Sequence, residues 1–221
     1  MRALSLAFAI KANFRSSQFN NFTYSRVAEM FHIGRETAKH LIVELRDMGL
    51  VEDRGPHILI RSLKGKREKD RNLTLQDYSA IDLYNLKEVE KFLRLQSVAL
   101  KQSQIDYAAN VRKDILSPKS SRDYRRAKRE SRKLGHWSGD ADRGQSINTV
   151  MRVSGLCKNG AINLLKWGES KKLLTKNKRM VRLGPSVGIE DFSLERTRVF
   201  SWKNQVYSCL PTEITFRKRK V

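Results

Sequence analysis

The side chains able to begin chemistry in this chain are few and scattered. His32, His40, His57 and His136 form no H-x-H or H-E-x-x-H pairing, and none stands beside paired carboxylates at ligand spacing. That pattern points away from metal catalysis and implies no cofactor. There is no G-x-x-x-x-G-K-[ST] phosphate loop, and Ser154-Gly155 lacks the G-x-S-x-G frame of a nucleophile elbow. Tyr78, Tyr84, Tyr107 and Tyr124 would need a surrounding set of Arg and His to act as strand-transfer nucleophiles. No such set assembles, so each reads as a core or interfacial aromatic. Two cysteines, Cys157 and Cys209, make neither a disulfide framework nor a zinc site and read as buried or indifferent thiols of a reducing compartment. What remains is non-covalent recognition, so the chain reads as a binder and not an enzyme.

The partner follows from charge. In 221 residues, 45 Lys and Arg stand against 23 Asp and Glu, a formal net charge of +22 with a pI of about 10.3. Self-repulsion of this size burdens a compact state, and nucleic acid is the usual polyanion that relieves it. The hydrophobic fraction of 39% and mean hydropathy of −0.57 allow modest cores. No run of roughly 18 apolar residues exists to span a membrane, and regular apolar periodicity argues against charge-driven disorder.

Base recognition needs polar side chains held outward by an apolar face. Thr23 or Ser25 can cap a short helix from Arg26 to Phe31 that faces Val27, Met30 and Phe31 inward. His32-Ile33-Gly34 is a tight break, and Gly34 permits a left-handed turn. A second helix over 35–48 buries Ala38, Leu41, Ile42, Leu45 and Met48, and Gly49 stops it. Leu50-Val51 opens a strand, Asp53-Arg54-Gly55-Pro56 turns, and His57-Ile58-Leu59-Ile60 returns. The outward positions are then Arg35, Glu36, Thr37, Lys39 and His40. Arg35 can pair bidentately with guanine, or hold a phosphate from the helix edge. Glu36 can accept from cytosine N4, or merely favour the helix N-terminus. Lys39 suits a phosphate, and Arg54 and His57 on the hairpin would reach backbone or minor groove.

The chain repeats this pattern 123 residues later without a gap. Val27 meets Val150, Ala38 meets Ala161, Leu41 meets Leu164, Ile42 meets Leu165, Leu50 meets Leu173, Ile58 meets Val181 and Ile60 meets Leu183. The matches fall where packing would bury them. Lys158, Asn159, Asn163 and Lys166 become the outward set, Asn159 or Asn163 being suited to adenine. Lys176, Lys178 and Arg179 form a basic second hairpin tip, and Gly168 is expected to weaken or shorten the second helix.

Between the copies, Leu83 to Leu116 reads as a connecting helix with Leu86, Val89, Phe92, Leu93, Leu95, Val98, Ala99 and Leu100 as an apolar stripe. The stripe serves either core packing or a homodimer. Ser117-Pro118 breaks the helix. Residues 117–135 carry eight Lys or Arg and two Asp or Glu and read as a solvated linker or a helix against DNA. Val199–Trp202 and Gln205–Ser208 flank Lys203-Asn204 as a hairpin, followed by the basic tail Arg217–Lys220. The short apolar run Ala3–Ile10 reads as the first helix of a folded domain and not a removed leader. The expected fold is mainly α with small β-hairpins (α+β). Its segments are a first domain at 1–65, a helical connector at 66–119, a second domain at 120–185 and a C-terminal hairpin with tail at 186–221.

Helix, turn, helix and two-stranded hairpin, carried by "IGRETAKHLIVELRDMGLVED", resemble the winged helix-turn-helix. Two such units in one chain resemble plasmid replication initiators of the two-winged-helix type. The resemblance implies double-stranded DNA as partner, successive major grooves as the sites, and replication initiation or transcription control as the role. It places the chain in the cytoplasm at the nucleoid, or in a virion if the protein is a phage structural component. A non-specific packaging protein, using the units as scaffolds for charge, is the alternative reading.

Overall fold

The computed structural model describes residues 1–14, 18–61, 78–133, 144–182, 198–202 and 205–216. The protein is mainly helical with two small antiparallel sheets. It divides into two compact units, Met1–Gln96 and Ser97–Arg217, with the boundary inside one long helix.

In the first unit, α1 (Arg2–Phe14) packs on α3, because Ala3, Leu6, Ala7 and Ile10 recur at helical spacing and are fully enclosed. After β1 (Gln18–Phe19) comes α2 (Tyr24–Met30), capped by Thr23, whose hydroxyl accepts from Arg26 N at 3.1 Å. Then follow α3 (Arg35–Asp47), β2 (Val51–Arg54) and β3 (His57–Ile60), the strands ordered β1-β3-β2. Ala38, Leu41, Ile42 and Leu45 of α3 join Val27, Ile58 and Ile60 in one core. Met48, expected in that core, is 47% exposed, because it caps the helix and the chain leaves there. Gly34 is not the left-handed residue either. It is the extended N-cap of α3 at φ −66°, and His32 takes the left-handed backbone at φ 49°.

The long helix α4 (Leu86–Leu116) contributes Leu86, Val89, Phe92 and Leu95 to the first unit. Phe92 meets Phe8 at 5.7 Å between ring centroids. Most of the expected apolar stripe is thus consumed inside the chain. Leu93 and Ala99 are half-buried, and Leu100 alone of the eight is exposed.

In the second unit, the rest of α4 buries Val98, Ile105, Ala108 and Val111. The buried Gln145 amide donates to Val98 O at 2.9 Å and to Gln102 Oε1 at 3.1 Å. Both partners are acceptors, which settles the orientation of the amide. The span read as linker or DNA-facing helix contains α5 (Ser121–Lys133). Next come α6 (Ile147–Ser154), capped by Ser146, α7 (Lys158–Ser170), β4 (Leu174–Arg182), β5 (Arg198–Trp202) and β6 (Gln205–Phe216).

The repeat of 123 extends to the backbone. α3 and α7 have equal lengths and equivalent bounds. Ile33 N bonds Ala28 O at 2.9 Å, and Leu156 N bonds Met151 O at 3.2 Å. Leu50 N bonds Leu45 O at 2.9 Å, and Leu173 N bonds Gly168 O at 2.8 Å. The left-handed positions recur too: His32 and Gly49 in the first copy, Gly155 and Lys172 in the second. Each copy therefore has glycine at one of the two sites and a strained non-glycine at the other. Gly168 does not end α7, which continues to Ser170 with Gly168 buried where Leu45 lies in the first copy.

One tie recurs with its charges exchanged. Arg46 Nη2 meets Asp53 Oδ1 at 2.7 Å, joining the last turn of α3 to β2. At the equivalent places, Lys176 Nζ meets Glu169 Oε2 at 2.7 Å, joining α7 to β4.

The second hairpin does not form as expected. Gly55, at φ 61°, and Pro56 make the first turn, but Lys178 and Arg179 stand at the equivalent places. With neither turn residue present, β4 runs straight through and pairs with β6. Val181 therefore lies opposite Ser208 and not in Ile58's place. Leu183 lies outside the described residues. Ile214 of β6 faces Lys176 as Ile58 faces Asp53, and Phe216 faces Leu174 as Ile60 faces Val51. The register slips where Pro211 and Thr212 oppose Lys178, since proline offers no ladder N–H. The C-terminal hairpin β5–β6, expected as a segment of its own, thus completes the sheet β4-β6-β5. Its turn residues Lys203 and Asn204 and the tail from 217 onward lie outside the described residues.

Arg46→Glu alone should lower the unfolding free energy measured in urea by about 1–2 kcal/mol, since it adds a like-charge contact with Asp53 and disturbs the bond to the Tyr24 hydroxyl. Adding Asp53→Lys recreates the second unit's arrangement and should recover most of that loss. A double variant no more stable than the single one would refute the equivalence of the two ties. Gln145→Leu should cost about 1–3 kcal/mol in the same measurement, because Gln102 Oε1 loses a buried donor.

Candidate nucleic-acid interface

The packing of α3 decides what it presents. With Ala38, Leu41, Ile42 and Leu45 enclosed, Arg35, Glu36, Thr37, Lys39 and His40 are all exposed. Neither α3 nor α7 has a side-chain cap: Gly34 has none to give, and Cys157 makes no capping bond. The supporting helices α2 and α6 are both capped by hydroxyls. The first-turn amides of α3 and α7 thus keep their donors open at the positive end of the helix dipole. Further along α3 the outward face changes sign. Lys39 and His40 are followed by Val43, Glu44 and Asp47 along one shallow groove. Only the first half of α3 suits an anionic surface.

On α7, Lys158, Asn159, Asn163 and Lys166 are exposed together. Gly160 sits opposite the turn, where an added Cβ would come within 3.2 Å of Leu156 Cβ. Cys157 is exposed and not buried, because it occupies the extended N-cap position.

The hairpin residues fare differently. Arg54 is held by Glu52 at 3.3 Å, and Arg61 reaches the other Glu52 oxygen at 3.3 Å. Glu52 is drawn below the usual carboxylate range, first by the hydrogen bond from Arg61 and then by the charge of Arg54. His57 is half-buried, with Nδ1 enclosed and without a hydrogen-bond partner. It therefore does not present that nitrogen to solvent as an outward contact would. Lys176 is committed to Glu169. The strand positions of Lys178 and Arg179 are in β4, and their side chains lie outside the described residues. Among the expected contacts, the structure groups the helix residues on two exposed faces, pairs Arg54 with Glu52 and Lys176 with Glu169, and encloses Nδ1 of His57.

Sequence reading gave no role to Arg46, whose guanidinium bridges Tyr24 Oη at 2.9 Å and Asp53 at 2.7 Å. Those two hydrogen bonds, Asp53's first, hold it charged more firmly than usual. The sequence left the span holding α5 open between a solvated linker and a helix against DNA. Its signal was the i, i+3, i+4 spacing of Arg122, Arg125, Arg126 and Arg129, masked by high charge density. Among the described residues no three His, Cys, Asp or Glu side chains converge as metal ligands, and no helix is long and apolar enough to cross a membrane.

No described protein family, no curated protein and no solved structure matches this chain.

The Glu52 cluster is measurable. Because its folded-state pKa is depressed, its stabilising contribution is present above the unfolded value and lost as pH falls through the folded one. In a carboxyl NMR titration, Arg61→Gln should raise the Glu52 midpoint toward the ordinary range. An unchanged midpoint would show that Arg61 does not set it.

Proposed function

We propose that the protein binds double-stranded DNA through two winged helix-turn-helix units, α3 and α7 each entering a major groove by the N-terminal half. The observation that carries this reading is the duplicated backbone. Two helix-turn-helix segments of equal length each bury one face in their own unit and leave an uncapped, polar, partly basic N-terminal half exposed. An α-helix fits the major groove by width, and its open amides favour phosphate. In the first unit, Arg35 reads guanine or holds a phosphate, Lys39 takes a phosphate, and Glu36, Thr37 and His40 line the base edges. In the second, Asn159 and Asn163 suit adenine, while Lys158 and Lys166 hold the backbone. Net charge of +22 supplies the sequence-independent affinity. The role is replication initiation or transcription control at the nucleoid.

Selection of bound sequences from a random duplex pool tests this. The expected result is a motif of two half-sites. Arg35→Ala should then cost about 1–3 kcal/mol on the selected site and relax preference at one base position. Lys158→Ala should weaken all sequences similarly. If the selected site binds no better than random duplex, specific reading is refuted and packaging takes its place.

A further inference from the structure

Helix α5 is the most highly charged element of the chain, and its apolar content does not account for it. Among its residues of described burial only Ala127 is buried. A helix that is polar all round needs something other than a core to justify it. Its two acids are already engaged. Asp123 and Ser120 close the N-terminus, with Asp123 N donating to Ser120 Oγ at 3.1 Å and Ser120 Oγ to Asp123 Oδ2 at 2.7 Å. Glu130 accepts from Tyr107 Oη of α4 at 2.9 Å. Arg126 leans toward Asp123 and Asp114 at 3.6 and 3.9 Å. Apart from Lys128, whose ammonium lies over the Tyr124 ring at 5.8 Å, that leaves Arg122, Arg125, Arg129 and Arg132, all exposed and with no acidic partner among the described residues.

These four share one face. At 3.6 residues per turn they fall within about a third of the helix circumference, opposite Ala127. Like charges three and four residues apart repel one another along that face, so the helix is built around a line of positive charge that no described residue neutralises. From Arg122 to Arg132 the rise is about 15 Å at 1.5 Å per residue. The major groove is about 12 Å wide, so the two ends of the line reach phosphates on both of its edges. The free cations are guanidiniums, whose fork grips a phosphate with two parallel N–H bonds.

We propose that α5 is a phosphate-gripping helix that binds the backbone of duplex DNA through Arg122, Arg125, Arg129 and Arg132. This rests on the DNA-binding reading of α3 and α7 and adds a third, sequence-independent contact within the second unit. Duplex DNA is favoured over duplex RNA because the deep, narrow major groove of A-form RNA does not admit side chains from a helix.

The test is the salt dependence of full-length protein binding to a random-sequence DNA duplex, followed by fluorescence anisotropy from about 50 to 300 mM salt. Replacing all four arginines by Gln should flatten the slope of log K against log salt by about 3–4, at about 0.9 per phosphate contact. The preference for the selected site over random duplex should stay the same. The corresponding Lys variant keeps the charge and should hold the slope within about one of wild type. It also controls for folding, as does the milder pair Arg125→Gln with Arg129→Gln, expected to flatten the slope by about 2. An unchanged slope in the Gln variants, or an equal loss in the Lys variant, overturns the proposal while leaving the α3 and α7 reading standing. An RNA duplex bound more tightly than DNA through the same four residues overturns the choice of DNA. Failure of the wild-type protein to bind any duplex at about 50 mM salt overturns both readings together.

Discussion

The exposed faces of α3 and α7 depend on one corner. At the end of α3 and again at the end of α7, the chain must leave a helix and enter a strand while holding the buried face of that helix against its unit. A left-handed residue, Gly49 or Lys172, makes the reversal. A backbone bond from Leu50 N to Leu45 O, or from Leu173 N to Gly168 O, closes it. An ion pair 2.7 Å long then pins the last helical turn to the first strand. The pair's polarity is free, since Arg46–Asp53 and Glu169–Lys176 do the same work with opposite signs. Its geometry is not free, because helix and strand must stand at the same separation in both units.

From that corner the units diverge for a local reason. Gly55-Pro56 folds the first strand back at once, and β3 supplies Ile58 and Ile60 to the core. Lys178-Arg179 cannot make the same turn, so the second unit receives its central strand from the far end of the chain. β6 delivers Ile214 to the register position of Ile58. The sheet positions that matter to the core are filled in both cases. The order in which the chain visits them differs.

The same packing sorts the charges. Arg54 and Arg61 share Glu52, Arg46 serves Asp53 and Tyr24, and Lys176 serves Glu169. These cations hold the protein together. Among the cations with no acidic partner in the described residues, those on the first half of α3, on α7 and along α5 share faces turned from a buried residue such as Ala38, Ala161 or Ala127. A net charge of +22 is a property of the whole chain. The usable part of it is much smaller and is selected by which side chains already have a partner.

The amino-acid sequence by itself determined the two helix pairs, their inward residues apart from Met48, and the outward sets Arg35–His40 and Lys158–Lys166, because helical periodicity and the recurrence at 123 residues are local and additive. It located the first hairpin, whose Gly-Pro turn is a local signal. It did not reveal that Arg54 and Lys176 pair with acids, that His57 Nδ1 is enclosed, that the 117–135 span holds a helix beside α4 and not a linker, or that β6 replaces an expected strand at 181–183. It also pointed to Gly34 for the left-handed backbone that His32 carries. Those outcomes depend on contacts between residues far apart in the chain, such as Leu174 with Phe216 and Tyr107 with Glu130. A periodic pattern tells a side chain which way to face. Only the folded chain decides which charge it meets when it gets there.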